Sequence, residues 1–148
     1  MATIKGLYKK VQAIDNGVID KAFEQTTDEL LTENKKQLFE GYDKTGEKIS
    51  RKYRSNKYAR VKNEMNPLPG LGTPDLKVTG AFYSGIRVDY NSGVLTTKSS
   101  DEKADELEKK YQDIYGLGGN FKKGFIKNSL RPALNKEITS LTGLKFGK

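Results

Sequence analysis

Five carboxylates, Asp101, Glu102, Asp105, Glu106 and Glu108, crowd into one short stretch. Paired carboxylates can run acid–base chemistry without histidine. Histidine and cysteine are both absent from this chain. Ser-His-Asp and Cys-His catalysis, imidazole and thiolate metal sites, and disulfide frameworks are thereby excluded. Lys103, Lys109 and Lys110 interleave with the five carboxylates, and the solvated outer face of a helix accounts for that pattern. An enzyme built from this inventory would have to use carboxylates, lysine, tyrosine or a borrowed cofactor, and no spacing singles one out. The expectation is therefore a non-enzymatic protein with no catalytic, metal or cofactor-binding residue.

Binding chemistry is better represented. The segment Arg51-Lys52-Tyr53-Arg54-Ser55-Asn56-Lys57-Tyr58-Ala59-Arg60 joins cations to aromatic rings. Arg and Lys neutralise phosphates and Tyr rings stack on bases, but the same rings also anchor cores while their hydroxyls stay wet. Arg51, Lys52, Arg54, Lys57, Arg60 and Lys62 form the candidate basic patch, facing either DNA or an acidic face of another protein. Charge is segregated well beyond it. Net charge is +8, yet Asp15–Glu40 and Asp101–Asp113 are each net acidic, while 44–62 and the chain after Gly118 are basic. Such a distribution suits a protein that meets a charged partner, and a solvated surface is the plainer alternative.

These residues need elements to hold them. Ile19, Phe23, Thr27, Leu30, Leu31, Asn34 and Leu38 recur at helical spacing, predicting one long helix over 17–40 that Gly41 stops. A shorter stripe, Ile4, Leu7, Tyr8, Val11 and Ile14, predicts a helical segment within 1–16. Asp43-Lys44-Thr45-Gly46 reads as a tight turn, because Lys44, Lys48 and Arg51 spoil an EF-hand loop. A weaker helix is expected over 55–65, with Tyr58, Val61, Lys62 and Met65 on one side. Three prolines and two glycines within 66–74 then make a loop that could reach a neighbour. Leu76, Thr79, Gly80, Phe82, Tyr83 and Ile86 form a joint, in which Thr79 caps a helical turn, Gly80 permits a close crossing, and Phe82 and Ile86 share a buried side.

Ile86, Val88 and Tyr90 alternate with polar residues, Asn91-Ser92-Gly93 turns, and Val94–Lys98 returns, giving a hairpin at about 86–98. Ser100 is placed as the N-cap of a helix striped by Ala104, Leu107, Tyr111 and Ile114. Gly116-Leu117-Gly118-Gly119 lacks the lysine-serine end of a P-loop and reads as a hinge. Pro132 begins a last helix that Gly143 ends. The fold class is α+β: a long N-terminal helix and further helices packed on a small antiparallel sheet. Two strands are marginal alone, so further strands are expected near 48–53 or 121–127, or from a neighbouring chain. One domain over 1–148 is expected, with the segment 1–16 and the tail 143–148 extended or bound to a partner. The start of the chain has no apolar core of signal-peptide length, and no segment reaches the roughly 20 apolar residues of a membrane span.

Several of these pieces stand in a familiar order. Leu38-Phe39-Glu40-Gly41-Tyr42-Asp43-Lys44-Thr45-Gly46 resembles the first-helix end and Asp-x-x-Gly turn of tailed-bacteriophage virion-morphogenesis, or tail-completion, proteins. Leu76-x-x-Thr79-Gly80-x-Phe82-Tyr83-x-x-Ile86 resembles their Thr-Gly joint before a hairpin. Tyr111-x-x-Ile114-Tyr115-Gly116 and Arg131-Pro132-x-Leu134 are similar to later segments of the same group. The match spans about 38–134. It departs from the family pattern where a histidine is usual, and Asn128-Ser129-Leu130 stands in place of an Ile-Pro. The resemblance implies a structural protein of the head–tail neck, forming or joining a ring beside portal or adaptor and tail proteins. It implies location in the virion after synthesis in the host cytoplasm, with no catalytic residues. The alternative is a basic nucleic-acid-binding accessory protein, and contact with packaged DNA through the basic patch is open in either case.

Overall fold

In the computed structural model, residues 3–145 are described. The architecture is α+β: eight α-helices and one two-stranded antiparallel sheet among the described residues. Helix α1 (Ile4–Gln12) opens on Thr3, whose Oγ1 accepts from the Gly6 N–H at 3.1 Å. Helix α2 (Asn16–Gln25) opens on Asp15, whose Oδ1 accepts from the Gly17 N–H at 2.9 Å. Both caps satisfy amide donors that a helix start leaves free.

The expected single helix over 17–40 is two. Helix α3 (Thr27–Phe39) begins after a break at Thr26, where φ is −117° and ψ is 11°. The Thr26 hydroxyl donates to the Ala22 carbonyl at 2.9 Å and also to Phe23 at 3.3 Å. Such back-bonding competes with the backbone ladder and bends helices. Apolar periodicity passes through the bend unchanged, which is why it reads as continuous. Gly41 does stop α3, with φ at +77° and its N–H donating to Leu38 O.

Helix α4 (Asn56–Met65) lies within the expected span and is capped by Ser55, but its buried side is Ala59 and Lys62, while Tyr58, Val61 and Met65 face solvent. A five-residue helix, α5 (Ala81–Gly85), leads into β1 (Ile86–Asn91), which pairs with β2 (Val94–Ser99) in the register Ile86↔Ser99 to Asn91↔Val94. Ser92 and Gly93 both have positive φ, as a two-residue type I′ turn requires. Helix α6 (Ala104–Lys110) starts later than its acidic run suggested. Ser100 does not cap it, since its hydroxyl turns to Gly85 O, and Asp101 Oδ1 accepts from the Lys103 N–H instead.

The C-terminal third departs most. Helix α7 (Gly119–Phe125), a π-turn (Ile126–Leu130) and α8 (Arg131–Thr142) run in unbroken helical geometry. So 121–127 is helical, not a strand. Pro132 has no N–H to give to the carbonyl four residues back, and its ring would clash there. The π-turn relieves that conflict: the Arg131 N–H reaches Ile126 O, one residue further than an α-helix would. Near 48–53 there is only a single bridge, Tyr42 to Lys48.

Helices brace the sheet, while Arg87, Asp89 and Asn91 of β1 stay exposed. Helices α2 and α3 pack on β1, α5 packs on β2, and α8 packs on α2. Phe23 stacks on Tyr90 at 4.9 Å, and the Tyr90 hydroxyl donates to Asp20 at 2.7 Å. Below it lies one buried cluster of Leu38, Ile49, Leu76, Phe82, Tyr83, Ile86, Ala104, Tyr111 and Ile114. Each large member contributes about 1.5–3 kcal/mol. At the C-terminus Gly143 adopts a left-handed cap and the Thr139 hydroxyl donates to Leu144 O, so 143–145 fold back on α8. Residues 1–2 of the N-terminal segment and 146–148 of the tail lie outside the described residues.

The Gly116–Gly119 segment is a docking point rather than a hinge. Gln37, fully buried, donates through Nε2 to Gly116 O at 2.9 Å and accepts through Oε1 from the Gly118 N–H at 2.8 Å. Asn34 Nδ2 adds a third bond to Gly116 O. The Asp43–Gly46 turn sits directly on this segment: a Cβ at Gly118 would lie 2.2 Å from Lys44 O and 2.4 Å from Gly46 N. Gly118→Ala should therefore cost about 1–3 kcal/mol or more through overpacking against rigid backbone. Gly124→Ala meets nothing within 4 Å and should gain up to about 1 kcal/mol of helix propensity. Thermal unfolding of the two variants should move in opposite directions.

Candidate functional site: a cationic groove over the Thr-Gly joint

The joint is held by a buried carboxylate. Asp75, 2% exposed, sits just before it and pairs with Lys62, 5% exposed, at 2.8 Å. Its second oxygen accepts from Asn66 Nδ2 at 3.0 Å, and Oδ1 also takes the Lys77 N–H at 3.1 Å. The Asp75 carbonyl accepts the Tyr83 hydroxyl, and Lys62 also donates to Lys77 O. Asn66 reaches on to Phe39 O at 2.7 Å, tying in the end of α3. This network fixes Leu76 in the left-handed region at φ 55°, a conformation that non-glycine residues rarely adopt.

From there the joint follows its sequence reading closely. The Thr79 hydroxyl accepts from the Ala81 N–H at 3.3 Å at the start of α5, and Phe82 and Ile86 are both buried. Gly80 differs. It makes no close crossing, since a Cβ there would meet nothing within 4 Å; its φ of +90° is what calls for glycine.

A groove of about 610 Å³ opens above the joint. Leu76, Thr79, Gly80 and Phe82 line it on one side, Arg51, Lys52 and Arg54 on another, and Asp101–Lys103 with Lys110 and Tyr111 on the third. The structure thus joins the two segments that the sequence singled out separately. Tyr53 and Tyr58 meet edge to face at 5.0 Å in its wall. Arg51 Nη1 approaches Lys110 O at 3.5 Å, while Lys52 is committed to the Thr73 hydroxyl at 2.6 Å and to Ile49 O. Arg54, Lys57 and Arg60 are exposed, and Lys57 and Arg60 lie outside the groove. Lys62 does not belong to the exposed patch at all, because Asp75 claims its ammonium inside the protein. Asp43 and Gly46 lie elsewhere, making their turn: the Thr45 N–H donates to Asp43 Oδ1 at 2.9 Å and the Gly46 N–H to Asp43 O.

Burial, and then the nearby Asp75, push the hydroxyls of Tyr53 and Tyr83 well above the usual tyrosine range, so neither is poised to transfer a proton near neutrality. Burial also lowers the Lys48 ammonium, which lies 4.0 Å over the Tyr42 ring and donates to Glu40 O. Among the described residues no group of three His, Cys, Asp or Glu side chains could hold a metal ion, and no helix is long and apolar enough to cross a membrane. What the arrangement offers is a cationic rim, an aromatic wall and an apolar floor, suited to an anionic or mixed apolar segment.

Sequence reasoning missed Asp75, Asn66 and Gln37. A signal existed for Gln37: it falls seven residues after Leu30 and next to Leu38, on the apolar face. No signal distinguished Asp75 from a loop carboxylate. No family model, curated protein or solved structure matches the chain.

Lys62→Met should cost about 3–5 kcal/mol, since it strands a buried carboxylate. The triple change of Arg51, Arg54 and Arg60 to Glu should stay within about 0.5 kcal/mol per site, as exposed positions do. Denaturant unfolding checks both. A tyrosine whose folded pKa is raised contributes stability that is fully present below its ordinary value of 10.0 and is lost as pH climbs above it. Stability should therefore fall above pH 10, and Tyr83→Phe should flatten that fall, as followed by unfolding curves alongside tyrosinate absorbance.

Proposed function

We propose that the protein is a structural component of a tailed-phage virion, acting at the head–tail neck, where it forms or joins a ring linking tail to capsid. One observation carries the reading. The separated positions of the resemblance converge: Leu38, Leu76, Phe82, Tyr83, Ile86, Tyr111 and Ile114 belong to a single buried cluster, and the Asp43–Gly46 turn seats on Gly118 beside it. Motif residues that meet in a core build a scaffold, whereas those of an enzyme converge on an open cleft bearing reactive groups.

Surface charge supports an assembling role. The cationic groove over the joint is matched elsewhere by a groove lined by Asp28, Glu29, Glu33 and Glu40. Two different, complementary faces on one chain are what a closed heterologous ring uses. The partners on this reading are further copies of the chain, a portal or adaptor protein, and tail proteins, and the role is structural rather than enzymatic. The exposed row Arg54, Lys57 and Arg60, with Tyr58 40% exposed, favours a second reading as a basic nucleic-acid-binding accessory protein. In a ring, the same row would tolerate packaged DNA by charge alone.

Light scattering on the purified protein and proteomics of purified particles separate the two readings. The neck reading expects a ring, or a fixed stoichiometric place in the particle. A persistent monomer that is missing from particles and binds DNA with a steep salt slope would favour the second reading. Reversing Arg51, Arg54 and Arg60 to Glu should lower the yield of complete particles while leaving the fold intact; unchanged yield removes the patch from assembly.

A further inference from the structure

Helix α1 has no buried residue. Its apolar stripe is left open, with Ile4 88%, Leu7 42%, Tyr8 62% and Val11 50% exposed. Lys5, Lys9 and Lys10 accompany the stripe, and no acidic residue lies between Ile4 and Gln12. In its own chain α1 touches α8 and is joined to α2 by only three residues, Ala13–Asp15. That link reaches about 10 Å at most, and the ten residues of α2, about 15 Å long, separate it from the start of α3. The helix stands as an arm.

The opposite shape exists on the same chain. A groove of about 580 Å³ runs between α3 and the α7–π-turn rod. Asp28, Glu29, Glu33 and Glu40 line its α3 side, against one cation, Lys36. Phe121 and Phe125 supply an apolar base, and Gly124 leaves open space where a side chain would stand. From Asp28 to Glu40 the groove offers about 18 Å of helix, and the nine residues of α1 need about 14 Å. An apolar stripe accompanied by lysines fits a groove with an apolar base and an acidic wall.

We propose that α1 of one copy lies in the acidic α3–α7 groove of the next copy. This rests on the ring reading and names the contact that would propagate it. Arm and groove are different surfaces, so the contact is head-to-tail and repeats until rotation closes it. It is electrostatic at its rim and should weaken as salt shortens the range of the charges.

The test is a charge swap in the full-length chain, read by light scattering over a concentration series, with circular dichroism as the check on folding. Lys5→Glu with Lys9→Glu should weaken self-association by about tenfold or more, as should Glu29→Lys with Glu33→Lys. Mixing the two variants should restore association to within about threefold of the unaltered protein, because both contacts between unlike copies are matched: the acidic arm meets the basic groove and the unaltered arm meets the unaltered groove. Zero-length cross-linking of the unaltered protein, mixed from light and heavy isotope-labelled copies, should join Lys5, Lys9 or Lys10 of one copy to Asp28, Glu29 or Glu33 of another. Assembly that ignores both reversals, or yields no such inter-copy cross-link, overturns the arm-in-groove contact and leaves the ring reading standing. Binding of α1 to anionic vesicles with assembly unaffected overturns it in favour of a membrane surface. A chain that stays monomeric at every concentration overturns this contact, and one that is also missing from purified particles overturns the ring reading with it.

Discussion

The buried pair of Lys62 and Asp75 is the constraint on which the functional face depends. Removing two charges from water is costly, and the cost is tolerable only when every remaining donor and acceptor is satisfied. Here Asn66, the Lys77 N–H, the Tyr83 hydroxyl and Lys77 O complete the set. In doing so they draw α4, the proline-rich loop, the joint and the end of α3 to one point. The left-handed Leu76 is held by that network, and α5 and the hairpin leave it in a defined direction. A hydrophobic replacement could match the pair in stability, but it would not fix the direction in this way.

A second polar device works on the other side of the core. Gln37 and Asn34 lie on the buried face of α3 and hold the backbone of Gly116 and Gly118, where the absence of side chains lets the Asp43–Gly46 turn approach to van der Waals contact. Between these two devices sits the apolar cluster, with Leu38 and Ile114 among its most buried members. The hairpin is too small to stand alone. It persists because α2, α3 and α5 cover it, and because Phe23 and Asp20 engage Tyr90. Both grooves are consequences: one is the gap between the joint and the Arg51–Arg54 segment, the other the gap between α3 and the rod that the π-turn allows to continue.

Much of this was legible in the residues. The hairpin and its turn, the Gly41 stop, the Asp43–Gly46 turn and the buried Phe82–Ile86 pair all follow from local chemistry, because alternation and positive-φ positions act within a few residues. The errors share another origin. Thr26 breaks a helix that periodicity joins, and Pro132 sits in a rod that proline rules would start there. Val61 and Met65 face water while Lys62 goes inside. In each case a bond to a more distant group, or a relaxation of the helix geometry, outweighed the local preference. The basic patch is one run in the sequence, yet the structure divides it: Arg51, Lys52 and Arg54 line the groove, Lys57 and Arg60 lie outside it, and Lys62 is internal.

By itself the sequence determined the α+β class, the lack of histidine and cysteine chemistry, the segregation of charge and the type of most elements, since these depend on composition and on contacts a few residues apart. Only the tertiary structure decided which charges are free and which are spent. Asp75 and Lys62 lie 13 residues apart in a chain rich in both signs, and nothing local marks them as partners. Burial selected them, because an ion pair withdrawn from water has to find its mate, whereas exposed cations such as Arg54, Lys57 and Arg60 remain free to meet something else.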